Sequence, residues 1–343
     1  MNQFIKLPEA RRQMIFNEAA ARLNLANVAV EKDFWVCWML DQLFRLPTWG
    51  RNLTFKGGTS LSKGWKLIER FSEDIDIVIN REALGFDETN SPETAPSRKQ
   101  TRKRLDALRI ACQECVDKRI KPELANSLSD RIPGELSWEL VNDPDDPDLQ
   151  TLLFMYPSAL AESAAYLRRS VKIELGGRSD TEPTERVTIR SYIGEVFPEL
   201  MTNRDIDVRT VSSKRTFWEK AMLLHEESFR PIGKKSRKKY MARHYYDLYR
   251  MIKAGIGDSA AEDEDLFHRI ASHRNIYFRY SWVDYSTYAP GRLRLVPDID
   301  QMSDWRQDYN NMKNEMLYGE VPSFEDIMES VSQFEGRFNK GSR

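Results

Sequence analysis

Cysteine is scarce. Three cysteines in 343 residues are too few for a disulfide framework and fit a reducing compartment. Cys112 and Cys115 form a C-x-x-C, but no second pair and no nearby histidine completes a zinc site. Both fall in a helix-like segment and read as buried or half-buried thiols. Net charge is nearly absent, at −1, so no global field draws the chain to nucleic acid or a membrane. Long apolar runs are missing too. The most apolar early stretch, residues 34–40, is flanked by Lys32, Asp33 and Asp41; it is far short of a membrane span and reads as a core helix. The opening "MNQFIKLPEARRQ" is polar and charged almost at once, unlike a secretory signal. No internal repeat or low-complexity tract interrupts the chain. These absences predict a soluble, cytoplasmic protein with no membrane partner.

What is present is a globular composition, 41% hydrophobic and 31% charged, long enough for a large core and two lobes. Residues 8–46 look helical, with Pro8 suited to a first turn and the second apolar cluster hydrophobic nearly all round. "NLTFKGG" then alternates, Leu53 and Phe55 against Thr54 and Lys56, as a short strand ending in a glycine turn. From Ser60 the spacing of Leu61, Trp65 and Ile68 predicts a helix, and at Asp74 period two returns through "DIDIVIN". A loop over 87–97 leads to a basic helix over 98–121 containing "RKQTRKR". Strand-like pieces recur at 135–141, 151–157, 171–177, 186–193 and 206–211, with the acidic stretch 142–148 as a hairpin tip. Beyond residue 214 the pattern is helical. This predicts an α/β lobe over 1–213 and a helical lobe over 214–343.

The chemistry concentrates in "KGGTSLSKGWKLIERFSEDIDIVIN". On a strand, Asp74 and Asp76 share one face while Ile75, Ile77 and Ile79 share the other. Carboxylates two residues apart lie about 6.6 Å apart along the strand, so both can converge on one or two divalent ions. Hard oxygen ligands suit Mg2+ or Mn2+ better than zinc, and two close like charges are unfavourable without a cation. Upstream, "GGTS" opens a helix whose free N–H groups can cradle an anion, with Thr59 and Ser60 adding hydroxyl donors. A phosphate cradle and a metal pair are the two halves of a nucleoside-triphosphate site. In "VKIELGG", Val171, Ile173 and Leu175 face the core, leaving Lys172 and Glu174 opposite. If this strand pairs with 75–80, Glu174 could activate an attacking hydroxyl or complete a second metal site; otherwise the two are a solvent-exposed alternation.

Two late residues read plainly on their own. Lys220 lies beside the stripe Phe217, Ala221, Leu224 and could be a solvated lysine beside a glutamate. Asp247 has Arg243 at i−4 and Arg250 at i+3 as ready ion-pair partners. The segment "RPIGKKSRKKYMAR" carries seven Lys or Arg between 230 and 243 and no acid. It is either a solvated loop or, beside a nucleotide site, a surface for an RNA backbone. "RKQTRKR" would be a second arm of that groove. The aromatic stretch 276–290, with Arg279 interleaved, reads as packing of the C-terminal lobe rather than a base-stacking surface.

The segments "KGGTSLSK", "RFSEDIDI", "VKIELGGRSDTEP", "TFWEKAMLLHEE" and "RHYYDLYRM", with "EKDFW" near the start, resemble the AbiEii toxins. These belong to the same broad group as the mycobacterial MenT toxins, and the resemblance extends over residues 28–253. It implies an α+β fold: a polymerase-beta-like nucleotidyltransferase palm with a mixed sheet, followed by a helical C-terminal lobe contributing to the active-site cleft. It further implies that Gly57, Gly58, Thr59 and Ser60 form the phosphate-binding turn and that Asp74 and Asp76 hold the metal. Lys220 would contact the triphosphate, and Asp247 would orient it or the base. Ser72 matches a serine or threonine placed at the active site, in some members a target of antitoxin phosphorylation.

The expected function is a magnesium-dependent nucleotidyltransferase, the toxin of a bacterial toxin–antitoxin or phage-defence (abortive infection) pair. It would move a nucleotide from a nucleoside triphosphate to an RNA acceptor such as a tRNA 3′ end, and a cognate antitoxin would control it. Two rivals stand beside this reading. A sugar-nucleotide glycosyltransferase also uses D-x-D, but usually after a longer nucleotide-binding region. A non-catalytic RNA- or protein-binding module on a degenerate transferase fold would not need Asp74, Asp76 and Glu174 together.

Overall fold

Ile75, Ile77 and Ile79 are buried, each worth about 1.5–3 kcal/mol of removed apolar surface, and this alternation makes Ile75–Ile79 a strand. In the computed structural model, which describes residues 1–160, 169–201, 204–231 and 237–341, it lies at the centre of a seven-stranded mixed sheet. The strands are β1 (Leu53–Lys56), β2 (Ile75–Ile79), β3 (Glu139–Asn142), β4 (Thr151–Met155), β5 (Ser170–Gly176), β6 (Thr184–Ile189) and β7 (Ile206–Val211). Their order is β3-β4-β5-β2-β1-β7-β6. β2 runs antiparallel to β1 and parallel to β5, β4 runs antiparallel to β3 and β5, and β1 runs parallel to β7. The architecture is α+β, as expected.

The chain divides into two compact units. The first comprises residues 1–64 and 73–210, the second residues 65–72 and 211–343. The helices of the first unit are α1 (Asn2–Ile5), α2 (Glu9–Leu23), α3 (Asn27–Phe44), α4 (Gly57–Thr59), α5 (Arg98–Cys115), α6 (Lys121–Ser129) and α7 (Tyr192–Val196). α2 stops at Asn24, which takes the left-handed conformation, one that asparagine tolerates better than most residues. α3 is hydrophobic nearly all round and buried over most of its length. Its Trp35 and Trp38 rings lie 5.9 and 6.0 Å from that of Phe154 on β4. This packing fills one face of the sheet and leaves the Asp76 face for chemistry. Cys112 and Cys115 are buried free thiols, and burial pushes them up to about 12 and about 11, so neither offers a thiolate.

The second unit is helical: α8 (Ser213–Ser228), α9 (Arg243–Lys253), α10 (Ile256–Ala261), α11 (Glu264–Tyr277), α12 (Ile299–Met316) and α13 (Phe324–Lys340). Side-chain caps define several starts. The Ser212 hydroxyl accepts from Arg215 N–H, and Ser323 with Asp326 forms a full capping box, satisfying amides that have no intrahelical acceptor. Phe217, Trp218, Phe267, Phe334 and Phe338 interlock in its core. The aromatic stretch 276–290 packs here as expected, with Tyr277 and Tyr288 buried and the Tyr288 hydroxyl on Glu226. Among the described residues no helix is long and apolar enough to cross a membrane.

Several boundaries differ from the sequence expectation. The helix predicted to run from Ser60 to Ile68 ends at Gly64, after the three residues of α4 and a wide turn over Ser60–Gly64. A Cβ on Gly64 would come within 2.8 Å of Val187, and Lys66 has φ +54°, so the chain leaves the turn in an extended path. That path is held within the second unit: Phe71 N–H donates to Met316 C=O at 2.7 Å, and Arg70 pairs with Leu317 as a bridge. β3 is shorter than the predicted 135–141 strand and begins at Glu139, and β6 ends at Ile189, where Ser191 caps α7. The basic helix continues past residue 121 through a wide turn into α6.

Candidate active site

β1 delivers Lys56 opposite Asp76, and β5 places Glu174 opposite Asp76 on the other flank. Residues paired in register point to the same face, so Lys56, Asp76 and Glu174 form one row across three strands. The pairing that would unite Asp76 and Glu174 is therefore present. Lys172, two residues before Glu174 on that face, pairs with it at 2.6 Å and lies 3.9 Å from Asp143. Asp74 is half-buried immediately before β2. Burial, then the Glu174 and Glu73 carboxylates, push Asp74 up to about 6, against the pull of Lys172 and Lys32.

The glycine turn presses onto this row. Gly57 has φ +80°, and a Cβ there would lie 1.8 Å from Asp76 Oδ2. Only glycine meets both demands, a left-handed backbone and contact with a carboxylate. The next helical segment is about two turns in all, Gly57–Thr59 and Ser60–Gly64, so its macrodipole is small; what it offers an anion is the backbone N–H groups of its first turn, beginning with Gly57 and Gly58. The hydroxyls of Thr59 and Ser60 are used in bracing. Thr59 Oγ1 donates to Asp74 C=O at 2.6 Å and Ser60 Oγ to Gly57 C=O at 2.8 Å, so the turn is tied directly to the aspartate strand.

A buried set on α3 clamps both parts. Lys63, at the end of the turn, pairs with Asp33 at 2.6 Å and lies 3.8 Å from the Tyr192 ring centre. Burial would lower the Lys63 ammonium, but Asp33 prevails and raises it. Lys32 pairs with Glu73, the residue before Asp74. Glu31 accepts from Ser158 Oγ at 2.6 Å and Ala159 N–H at 2.7 Å. Three consecutive charges inside a buried helix thus fix the glycine turn, the aspartate approach and the end of β4.

In the second unit, α8 and α9 bring Lys220 to Asp247 at 2.8 Å. Arg70 grips the same carboxylate with two bonds of 2.7 and 2.9 Å. Asp247 is fully buried and Lys220 nearly so. Burial opposes ionisation of Asp247, yet the two cations hold it well below the carboxylate range. Burial lowers Lys220, with Asp247 opposing and Arg70 assisting. The expected partners Arg243 and Arg250 are not those found: Arg250 pairs with Glu69 at 3.3 Å. Lys220 is likewise a buried lysine rather than a solvated one. Ser72 belongs to the 65–72 segment of this unit and is half-buried.

The sequence model of the nucleotidyl transferase AbiEii toxin family, a type IV toxin–antitoxin system, matches residues 38–330. The chain belongs to that family. The match extends well past residue 253, where the motif resemblance ends, and takes in α10 to α12. It makes the chain a nucleotidyltransferase toxin with an antitoxin counterpart. Among solved structures, the nucleotidyltransferase toxin MenT4 from Mycobacterium tuberculosis H37Rv is similar at 17% identity and a TM-score of 0.49, over 98% of this chain and 91% of that one. No curated protein matches the chain.

Sequence reasoning missed Lys63, Lys32 and Asp33 as the bracing of the glycine turn and aspartate strand in the first unit of this AbiEii-family chain, and Arg70 as a partner of Asp247 in the second. Arg70 is 177 residues from Asp247, so no local spacing links them. The available signal was charge within the apolar run of α3, where a buried helix has no use for "EKD" unless each charge has a partner. The basic segment 230–243 is partly structural: Arg230 and Arg237 both pair with Glu227, while Lys238 and Lys239 are exposed. Its Lys234 and Lys235 lie outside the described residues. On α5, Arg98, Lys99, Arg102 and Lys103 are exposed, whereas Arg104 donates to Ser91 C=O at 2.6 Å.

Proposed function

We propose that this toxin transfers a nucleotide from a nucleoside triphosphate to an RNA acceptor, a tRNA 3′ end, in a magnesium-dependent reaction in the cytoplasm as part of phage defence. The observation that carries this is the contact of Gly57 with Asp76 in a row that also holds Glu174. A phosphate seated on the amides of Gly57 and Gly58 would lie beside a carboxylate ready for a hard cation. Thr59 and Ser60 keep that turn in place.

Asp74 and Asp76 are the residues that would hold Mg2+ or Mn2+. Burial, and then the Glu174 and Glu73 carboxylates, push Asp74 up to about 6, and a cation would relieve the repulsion among the three. Among the described residues no group of three or more His, Cys, Asp or Glu is gathered to hold a metal alone. Magnesium takes one or two carboxylates and completes its shell with water and phosphate oxygens, so Asp74 and Asp76 would be the protein's share of its ligands. When bound, the ion supplies charge neutralisation at the attacking and leaving oxygens. Glu174 accepts the proton of the attacking hydroxyl, with Lys172 fixing its carboxylate. By the family resemblance Lys220 would contact the triphosphate, its ammonium set by Asp247. Phosphorylation of Ser72 would switch the site off.

The test is incubation with labelled nucleoside triphosphates and total RNA, followed by sequencing of RNA 3′ ends. Wild type should label RNA and Asp76→Asn should not, with an unchanged melting temperature. An Asp76→Asn protein that still transfers nucleotide and arrests growth would sink the assignment, and transfer from labelled sugar nucleotides instead would establish the glycosyltransferase reading.

A further inference from the structure

On the Asp76 face, the sheet continues beyond Glu174 into an exposed apolar patch. Lys172 on β5 is paired with Leu153 on β4, and Leu153 with Val141 on β3. One pair further along, Met155 stands opposite Ser170 and Glu139. Val141 and Met155 are each 38% exposed, and Leu153 is half-buried. Their neighbours Leu152 and Phe154 point to the other face and are fully buried, so the exposed set follows from the pleat. With strands about 4.8 Å apart and residues about 3.4 Å apart along them, this register puts Leu153 about 8 Å, Val141 about 12 Å and Met155 about 14 Å from Glu174, the reach of a terminal nucleoside with its phosphate.

We infer that Val141, Leu153 and Met155 form the subsite for the terminal nucleoside of a single-stranded RNA acceptor. The inference rests on the transferase reading above and adds a direction to it. In an in-line displacement the attacking oxygen and the leaving pyrophosphate lie on opposite sides of the α-phosphate. Pyrophosphate at the glycine turn lies on the β1 flank of β2, so the attacking hydroxyl arrives from the β5 flank, where Glu174 stands. The nucleoside that carries it then extends over β4 and β3. The face of a base can pack on apolar as well as aromatic side chains without its edge being read. Lys172, 37% exposed at the near margin, offers its ammonium to the adjoining phosphate, while Glu139 bounds the far margin. Three side chains are too small a surface for a stable protein partner, whose interfaces bury on the order of 1,000 Å² or more.

The test uses the full chain and a short fluorescent oligoribonucleotide with a free 3′ hydroxyl. Val141→Asp/Met155→Asp changes only exposed positions and should leave the melting temperature within a few degrees. It should weaken oligonucleotide binding at least about tenfold, and raise the acceptor KM, by placing two carboxylates where a base must rest. Met155→Trp, which supplies an aromatic face, should tighten binding by about tenfold. Magnesium-dependent triphosphate binding should be the same in all three proteins. Unchanged oligonucleotide affinity in the double aspartate variant overturns the proposal, as does loss of antitoxin binding with RNA binding intact. Absence of triphosphate binding in the wild type would instead remove the transferase reading, and the oligonucleotide comparison would still decide the platform.

Discussion

Arg70 and Asp247 meet through two parallel hydrogen bonds of 2.7 and 2.9 Å, both side chains buried and 177 residues apart in the chain. Lys220 adds a second cation to the same carboxylate, so the cluster carries one net positive charge. That surplus sorts the three residues by role. Asp247→Asn would leave two buried cations without an anion and should cost about 3–5 kcal/mol. Lys220→Met leaves a neutral, fully bonded Arg70–Asp247 pair and should change stability by less than about 1 kcal/mol. If Lys220 acts on phosphate, Lys220→Met will be folded and inactive. Urea unfolding beside a transfer assay separates these outcomes, and a Lys220→Met protein as unstable as Asp247→Asn would make the lysine structural.

His225 gives the second unit a defined acid sensitivity. It is fully buried. Its Nδ1 accepts from Arg294 N–H at 2.9 Å, which leaves Nε2–H to donate to Thr287 Oγ1 at 2.9 Å. Burial pushes the imidazole down to about 4. A histidine depressed in the folded state stabilises fully above its unfolded value near 6.5 and loses that contribution as pH falls through about 4. The loss over this window is at most about 3 kcal/mol. His225→Gln should start less stable at pH 7.5 and decline less steeply than wild type between pH 6.5 and 4. Parallel curves in thermal melts across that range would rule out His225 as the source.

How far these residues were legible depends on the range of the interaction that places them. β2 and β5 could be read from period two because each buries one face, and the glycine turn from its composition. Aligning the buried faces puts Asp76 and Glu174 on one side of the sheet but fixes register only to a multiple of two residues; that they stand opposite one another is set by the fold. The stretch after Gly64 was not legible. Its apolar spacing at Leu61, Trp65 and Ile68 matches a helix, but residues 69–71 bond to 316–318 instead. A partner about 250 residues away leaves no periodic trace. The same holds for Asp247, whose neighbours along α9 offered arginines at helical spacing while Arg70 and Lys220 made the bonds. Lys32 and Asp33 were visible as charges but read as the margins of an apolar run.

Ser72 lies two residues before Asp74, so their Cα atoms are within about 7 Å whatever the local fold. A phosphate there would add about two negative charges near carboxylates that already repel one another. Ser72→Asp, a weaker mimic, should reduce magnesium-dependent triphosphate binding by about tenfold or more, whereas Ser72→Ala should bind within about threefold of wild type. Calorimetry with a non-hydrolysable triphosphate reads the difference directly. Equal binding by Ser72→Asp and wild type would remove Ser72 as a switch.

The first turns of α5 carry Arg98, Lys99, Arg102 and Lys103, all exposed, with no acid in the first turn. A helix N-terminus repels cations, by about 0.3–1 kcal/mol each within the first turn, so Arg98 and Lys99 are placed against their local electrostatics. If they serve an RNA backbone, replacing all four with glutamine should have opposite effects on folding and binding. The melting temperature should rise slightly as the dipole conflict is removed. RNA affinity should fall for every sequence alike, and each phosphate left without its cation should reduce the slope of log K against log salt by about 0.7–0.9. Fluorescence anisotropy at several salt concentrations, set beside thermal melts, measures both. An unchanged salt slope would assign these four charges to solvent alone, because a cation cannot be taken off the RNA backbone without releasing fewer counterions.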